Sequence, residues 1–492
     1  MTKDLEPPGS SVIGGGVEES RKTTIRRVLI AGVVAVECVS VLVLGLDGLT
    51  TSLLVLGGIG FAVLSLASPS AGWMMVVALV PFSQEISMPG TGSALQAPTE
   101  PMIFFLETLW ILGLLQNPHF RLPPRRFTYS VIGVIAVPFV SCFYSDFGFA
   151  TLKSTLNLAW YLFFGVFLAV STLRSVKDLR RLTMVFTVPA AIVSLYYLQN
   201  VVRTGLGIKD VNAGALPFFG EHGTFAAYLC YAFPMAVLTT LWAKKKVTKT
   251  IFGCAACAVF AGILFSLTRA AWLAFAAMVG VTLILLPRSR AFPRWIFGVL
   301  AVGGIAAVVL AGSSQSTLFK HMRSIADTES NVSNMERLNR WAAAIDMFKA
   351  HPVVGVGFGA YKHHYRQFRR IRLATTESAP RAGAHNIFLS VLAEMGLVGA
   401  AVNLVFIGAL LSLLSRNLSR SRCLGPESQP VTAFTLAIIA GLTGHGVHGL
   451  FNYYSSWDKV NVPLWTFIGA AAACSLILDS IESSNRSICG AP

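Results

Sequence analysis

The feature that most constrains this chain is a succession of about fourteen apolar stretches, most of them long enough to approach the thickness of a bilayer. Lipid offers no partner for an open backbone N–H or C=O, so a segment that crosses must close its own hydrogen bonds, as a helix does. A helix needs roughly 17–25 apolar residues for the crossing. Spans are read near 28–46, 49–67, 71–84, 101–116, 127–144, 151–173, 181–200, 223–243, 249–267, 270–287, 293–312, 386–415, 430–451 and 462–480. With 54% hydrophobic and 13% charged residues and a mean hydropathy of +0.65, a soluble globule is excluded. The expected fold is an all-α polytopic membrane bundle of 12–14 transmembrane helices. Two of the stretches are short and 386–415 exceeds one span, which sets that range.

Orientation follows from the basic residues, because cytoplasmic loops carry the Lys/Arg excess. With the N-terminus inside, the inner loops hold Arg121/Arg125/Arg126, Arg174/Lys177/Arg180/Arg181, Lys244/Lys245/Lys246/Lys249, Arg288/Arg290/Arg294 and Arg416/Arg420/Arg422. The intervening loops are acidic, small or neutral. Fourteen spans keep every short loop on its assigned side and put both termini in the cytoplasm. The organisation expected is a disordered tail 1–26, eleven helices over 27–312, an outer module 313–384, three helices over 385–480 and a second tail 481–492. The formal charge of +16 therefore serves orientation and anionic lipid headgroups, not nucleic acid.

Polar chemistry gathers on one side. His222, His321, His351, His363, His364, His385, His445 and His448 all fall in outer loops or outer helix ends. A carrier would place costly polar groups at mid-depth; their collection at one surface points to an enzyme acting on a membrane-borne substrate. Of the two longer outer segments, Val201–Glu221 is Gly- and Asn-rich and reads as irregular. The other, 313–384, carries a net excess of basic residues, which suits an anionic ligand such as a diphosphate or acidic sugars. In it Met335–Ala350 reads as a helix capped by Ser333 or Asn334, with Leu338, Trp341, Ala342, Ile345 and Phe348 as its apolar stripe. His351-Pro352 ends it.

Each motif has a plain reading beside its functional one. Gly355–Gly359 looks like a phosphate cradle, but no strand or Lys-Ser/Thr accompanies it, and a tight backbone turn is the better account. Arg269, in FSLTRAAW, is either an interfacial snorkelling residue or a guanidinium aimed at phosphate. Arg337 shares a helix face with Trp341 at i, i+4, while Arg340 could be a solvated charge. His385 stands where the outer module re-enters the membrane and has the residue type to take a proton near neutral pH, with Asn386 beside it. His445 and His448, one turn apart, could offer two metal ligands, but a third is missing nearby and an aromatic-belt position fits as well. The eight cysteines form no disulfide framework, and Cys254 and Cys257 read as packing residues.

ERLNRWAAAIDMFKAHPVVGVGFGAYKHHY (336–365) followed by AHNIFLSVLAEMGLVGA (384–400) resembles the signature of the O-antigen ligase and polymerase superfamily, and SLTR at 266–269 is similar to its Ser/Thr-Arg motif. At 219–229 the chain departs from the Gly-Asn-Pro-Asn common there. The resemblance implies a metal-independent glycosyltransferase, without cofactor, in a bacterial inner membrane. It would move a glycan from a polyprenyl-diphosphate carrier to a sugar hydroxyl on the periplasmic face. The acceptor is the lipid A core for a ligase and the next repeat unit for a polymerase. It further implies diphosphate binding by Arg269, Arg337 and Arg340, a general base at His385, and substrate positioning by Asn386, Trp341 and Arg203. A flippase or exporter of lipid-linked sugars is the reading from a different class.

Overall fold

The computed structural model describes residues 48–88, 93–116, 121–204, 208–286, 332–370, 383–454 and 457–489. The spans expected at 28–46 and 293–312, the tail 1–26, and residues 313–331 and 371–382 of the outer module lie outside these. Every other expected span coincides with a helix. In chain order these are α1 (Gly48–Ala67), α2 (Pro69–Leu79), α3 (Thr99–Gln116), α4 (Arg125–Ser141), α5 (Gly148–Thr172), α6 (Val176–Thr204), α7 (Ile208–Ala215), α8 (His222–Trp242), α9 (Lys246–Phe265), α10 (Arg269–Leu285), α11 (Val332–Ala350), α12 (Tyr361–Phe368), α13 (Ile387–Cys423), α14 (Gln429–Gly449) and α15 (Asp458–Cys489). Among the described residues seven helices are long and apolar enough to cross a membrane: α5, α6, α8, α9, α13, α14 and α15. The chain is an all-α, multi-pass membrane protein.

Several local expectations are corrected. An antiparallel hairpin, β1 (Gln84–Met88) with β2 (Ser93–Ala97), precedes α3. Its strands are too short and polar to announce themselves by alternation. The segment 201–221 is not irregular throughout, since it holds α7. Helix α15 runs on to Cys489, into the stretch assigned to a C-terminal tail. Helix α11 begins at Val332, so Ser333 and Asn334 lie inside its first turn and do not cap it.

The buried face of α11 is also not its apolar stripe. Leu338 and Ile345 are 42% and 41% exposed, whereas Glu336, Asn339, Arg340, Ala343, Ala344 and Met347 are buried. In a membrane chain an apolar face can turn outward at little cost, and small and hydrogen-bonded residues then take the inward positions. Ala343, Ala344 and Met347 pack with Val356, Tyr361, Tyr365, Ala384 and Ala393 into a small core of their own.

That core is organised by a break in α13. Gly396 adopts φ 59°, ψ −155°, and the helical ladder is interrupted there. The bonds a straight helix would make at this point are made by the glycine loop instead. Val356 and Gly357 N–H donate to the carbonyls of Ala393 and Glu394 at 3.0 and 2.8 Å, and Leu397 and Val398 N–H donate to those of Pro352 and Val353 at 2.9 and 3.0 Å. The buried Glu394 carboxylate accepts from Tyr361 N–H at 3.3 Å, and Tyr144 and Ser145 hydroxyls donate to the Val354 and Val356 carbonyls at 2.7 and 3.0 Å. Gly355–Gly359 is therefore a backbone splice between two helices. A Cβ at Gly355 would fall 2.3 Å from the Glu394 carbonyl carbon, and one at Gly396 would fall 2.5 Å from that of Val353.

A second polar anchor sits at the start of α15. Asp458 accepts from the Ser83 and Thr99 hydroxyls at 2.5 and 2.7 Å, and the Lys459 ammonium donates to the Val80 and Ser83 carbonyls at 3.0 and 2.7 Å. These bonds tie α15 to the residues flanking the hairpin.

Gly396→Ala combines a backbone conformation reserved for glycine with a backbone clash and is expected to cost at least ~2 kcal/mol. Gly425→Ala, at φ 82° with open space around it, serves as the strain-only control. Thermal unfolding in detergent should show the larger drop for Gly396; equal drops would refute the splice as a packing constraint.

Candidate active site

Arg269 is placed by a three-residue reversal. Helix α9 ends at Phe265, Leu267 takes φ +51°, and extended Thr268 leads into α10, whose first residue is Arg269. A guanidinium there reinforces the positive end of the helix dipole instead of opposing it. The turn is held from α8: His222 Nδ1 lies 2.7 Å from the Ser266 carbonyl and 3.0 Å from the Thr268 hydroxyl. A carbonyl only accepts, so Nδ1 carries the proton and Nε2 is left as an acceptor.

Arg337 projects from the second turn of α11. It is desolvated and lies in the field of Arg269, and these two causes, in that order, depress its pKa; Tyr454 and Glu221 act in the opposite sense. Among the described residues no carboxylate forms an ion pair with it. Arg337 thus lies in the field of one like charge, Arg269, and of one acidic group, Glu221.

Arg340 has a different environment from that expected. Only 3% exposed, it donates through Nε to Glu336 at 2.7 Å and through Nη1 to the Gly383 carbonyl at 3.1 Å, and its guanidinium lies 5.5 Å from the centre of the Tyr365 ring. Tyr361 returns a hydrogen bond to the Arg340 carbonyl at 2.8 Å. The residue joins α11, α12 and the strand of chain that delivers His385, and Nε and Nη1 are engaged by the protein.

His385 itself takes φ +52°, an uncommon conformation for a residue with a side chain. Asn386 follows in extended conformation and caps α13, its Oδ1 accepting from Leu389 N–H at 3.0 Å. Burial, then the charges of Arg340 and Arg337, push the imidazole down to about 4, against a smaller upward pull from Glu336. His385 is therefore a neutral base at physiological pH. Trp341, one turn beyond Arg337, is half-buried with its indole Nε1 unpartnered among the described residues. Arg203 stands exposed in the last turn of α6 and is not brought to this cluster.

Arg337 lies in the field of Arg269, and its own field reaches His385 and His448, which relates the four groups as one electrostatic cluster. Residues not singled out from the sequence as site residues complete it: Glu221 and His222 at the start of α8, His448 near the end of α14, and Tyr454 after it. Tyr454 is half-buried, and its phenol is held protonated by desolvation and then by the Glu221 carboxylate. Their signal was the unexplained FGEHGT and GHGVHGLFNYY stretches. Among the described residues no three His, Cys, Asp or Glu side chains converge on a point.

Residues 252–404 match a family model described as O-antigen ligase, a stretch that includes Arg269, α11, the glycine splice and His385. Comparison with curated proteins gives no match.

Arg340→Ala removes a buried ion-pair partner of Glu336 and should cost ~3 kcal/mol or more. Arg337→Gln relieves a like-charge contact and should leave the unfolding midpoint unchanged or higher. A large loss of stability in Arg337→Gln would show that the guanidinium is a structural group.

Proposed function

As a multi-pass membrane protein with an O-antigen ligase domain at 252–404, this chain, we propose, transfers a glycan from a polyprenyl-diphosphate carrier to a sugar hydroxyl. The observation that carries the reading is that Arg337, desolvated and without an ion-pair partner among the described residues, lies in the field of Arg269 while its own field reaches the imidazole of His385. A guanidinium that lies in the field of a second one forms a cationic site that suits a diphosphate. Arginine suits the task because it stays charged and donates two hydrogen bonds to phosphate oxygens.

In the proposed reaction His385 accepts the acceptor's hydroxyl proton as that oxygen attacks the anomeric carbon. The bond from that carbon to the diphosphate oxygen breaks, and the carrier diphosphate leaves with the electron pair. The arginines meet the charge that develops on the leaving oxygens, in a partly dry site where fixed charges act strongly. One displacement inverts the anomeric centre. With cationic side chains supplying this charge the reaction is proposed to run without metal. Arg340 acts through position, holding the segment that presents His385. The distribution of Lys and Arg between loops supports placing the cluster on the periplasmic face, with the apolar surface of the helices open to the isoprenoid.

Purified protein given lipid-linked oligosaccharide and candidate acceptors, in chelator, should yield product by mass spectrometry. A lipid A core product would mark a ligase and an extended carrier-linked chain a polymerase; no transfer to either would remove the proposal. His385→Ala should lower the rate by ~10²–10⁴-fold with normal membrane insertion.

The pH dependence follows from the imidazole. A depressed folded value means that protonation is resisted in the folded protein, so the free enzyme keeps its base until the pH falls through about 4. The kcat/KM profile is expected to stay flat from pH 8 to about 5 and to fall below that. An acid limb centred near the ordinary histidine value of about 6.5 would contradict the buried environment.

A further inference from the structure

The histidine pair on α14 divides its two members between different tasks. His445 Nδ1 lies 2.7 Å from the Tyr231 hydroxyl on α8, deep among the helices. His448, one turn on, is 2% exposed, with its ring 5.8 Å from that of Tyr454. Its Nδ1 is 3.3 Å from the side-chain amide nitrogen of Asn452. An amide N–H only donates, so Nδ1 is the acceptor and the ring proton sits on Nε2. That Nε2–H is buried and has no partner among the described residues. A buried N–H with no acceptor is unfavourable, and this one stands in the fields of His445, Arg337 and His222.

We propose that His448 is a third ligand for the leaving diphosphate, a neutral donor that gives Nε2–H to a phosphate oxygen between Arg269 and Arg337. This rests on the diphosphate reading above and adds to it a residue from outside the matched stretch 252–404. Asn452 is then a positioning residue: by donating to Nδ1 it selects the tautomer that presents the proton. A neutral donor adds a directed bond without a third cation, which would raise the repulsion between the two guanidiniums. It also explains why a histidine is kept unpaired beside a cationic cluster instead of an apolar residue.

The test is titration of the full-length protein in detergent with inorganic pyrophosphate. Wild type should bind. His448→Phe, which keeps the volume and removes the donor, should bind about tenfold or more weakly at an unchanged or higher unfolding midpoint, and His448→Gln, which restores an N–H, should recover most of the affinity. Wild-type affinity in His448→Phe overturns the assignment. If Arg337→Gln weakens binding and His448→Phe does not, only the histidine's role falls. If wild type does not bind, or Arg337→Gln binds like wild type, the diphosphate reading falls and this proposal with it. Should the phenylalanine variant fail to fold, nitrogen NMR of wild type decides: pyrophosphate must shift the His448 Nε2–H resonance, and an unmoved resonance refutes the bond.

Discussion

The main-chain splice between the glycine loop and the broken helix α13 is the interaction on which the site depends. A helix interrupted within an apolar environment leaves two carbonyls and two N–H groups open, and each open group is costly there. Residues 352–357 supply the missing partners on both sides of Gly396. The break ends the short segment that begins at His385 and Asn386, and the same loop connects α11, with Arg337, to α12. Base and guanidinium are thereby fixed to one another through main-chain bonds. This explains why 336–365 and 384–400 carry the family resemblance together: they are the two halves of a single object.

Charge compensation separates structural from functional polar groups in this molecule. Asp458 and Lys459 are buried, yet their polar atoms are met by hydroxyls and carbonyls. Arg340 likewise has Glu336 and the Gly383 carbonyl. Arg337 and His448 are desolvated too, but remain incompletely answered by the described residues. A fully satisfied buried charge holds a fold together. An unsatisfied one is a site that protein packing alone does not complete.

The apolar helices were legible because hydropathy depends on composition over many residues. Helix α11 was legible in its period, but its direction was not, since burial in a membrane protein does not follow apolarity: Leu338 and Ile345 face outward while Arg340 is sealed. Arg269, Arg337 and His385 could be named from local motifs. Their meeting with Glu221, His222, His448 and Tyr454 could not, because it requires α8, α10, α11 and α14 to converge, and pairwise distance along the chain holds no trace of that. The glycines were read correctly as a tight turn, but their partner lay about forty residues away. For Arg340, spacing alone held no sign of its bonds to Glu336 and the Gly383 carbonyl.

The two principal arginines are mounted on different supports. Arg337 belongs to the spliced unit of α11 and α13, whereas Arg269 is fastened through the Ser266–Thr268 reversal to His222 on α8. Their separation is thus a jaw width set by how two groups of helices pack, and not by either side chain. Altered packing at a distant helix contact would open or narrow that jaw. Under the proposed function, preference between one phosphate and two, or between carriers of different headgroup, is then tunable from the interior of the bundle with Arg269 and Arg337 unchanged.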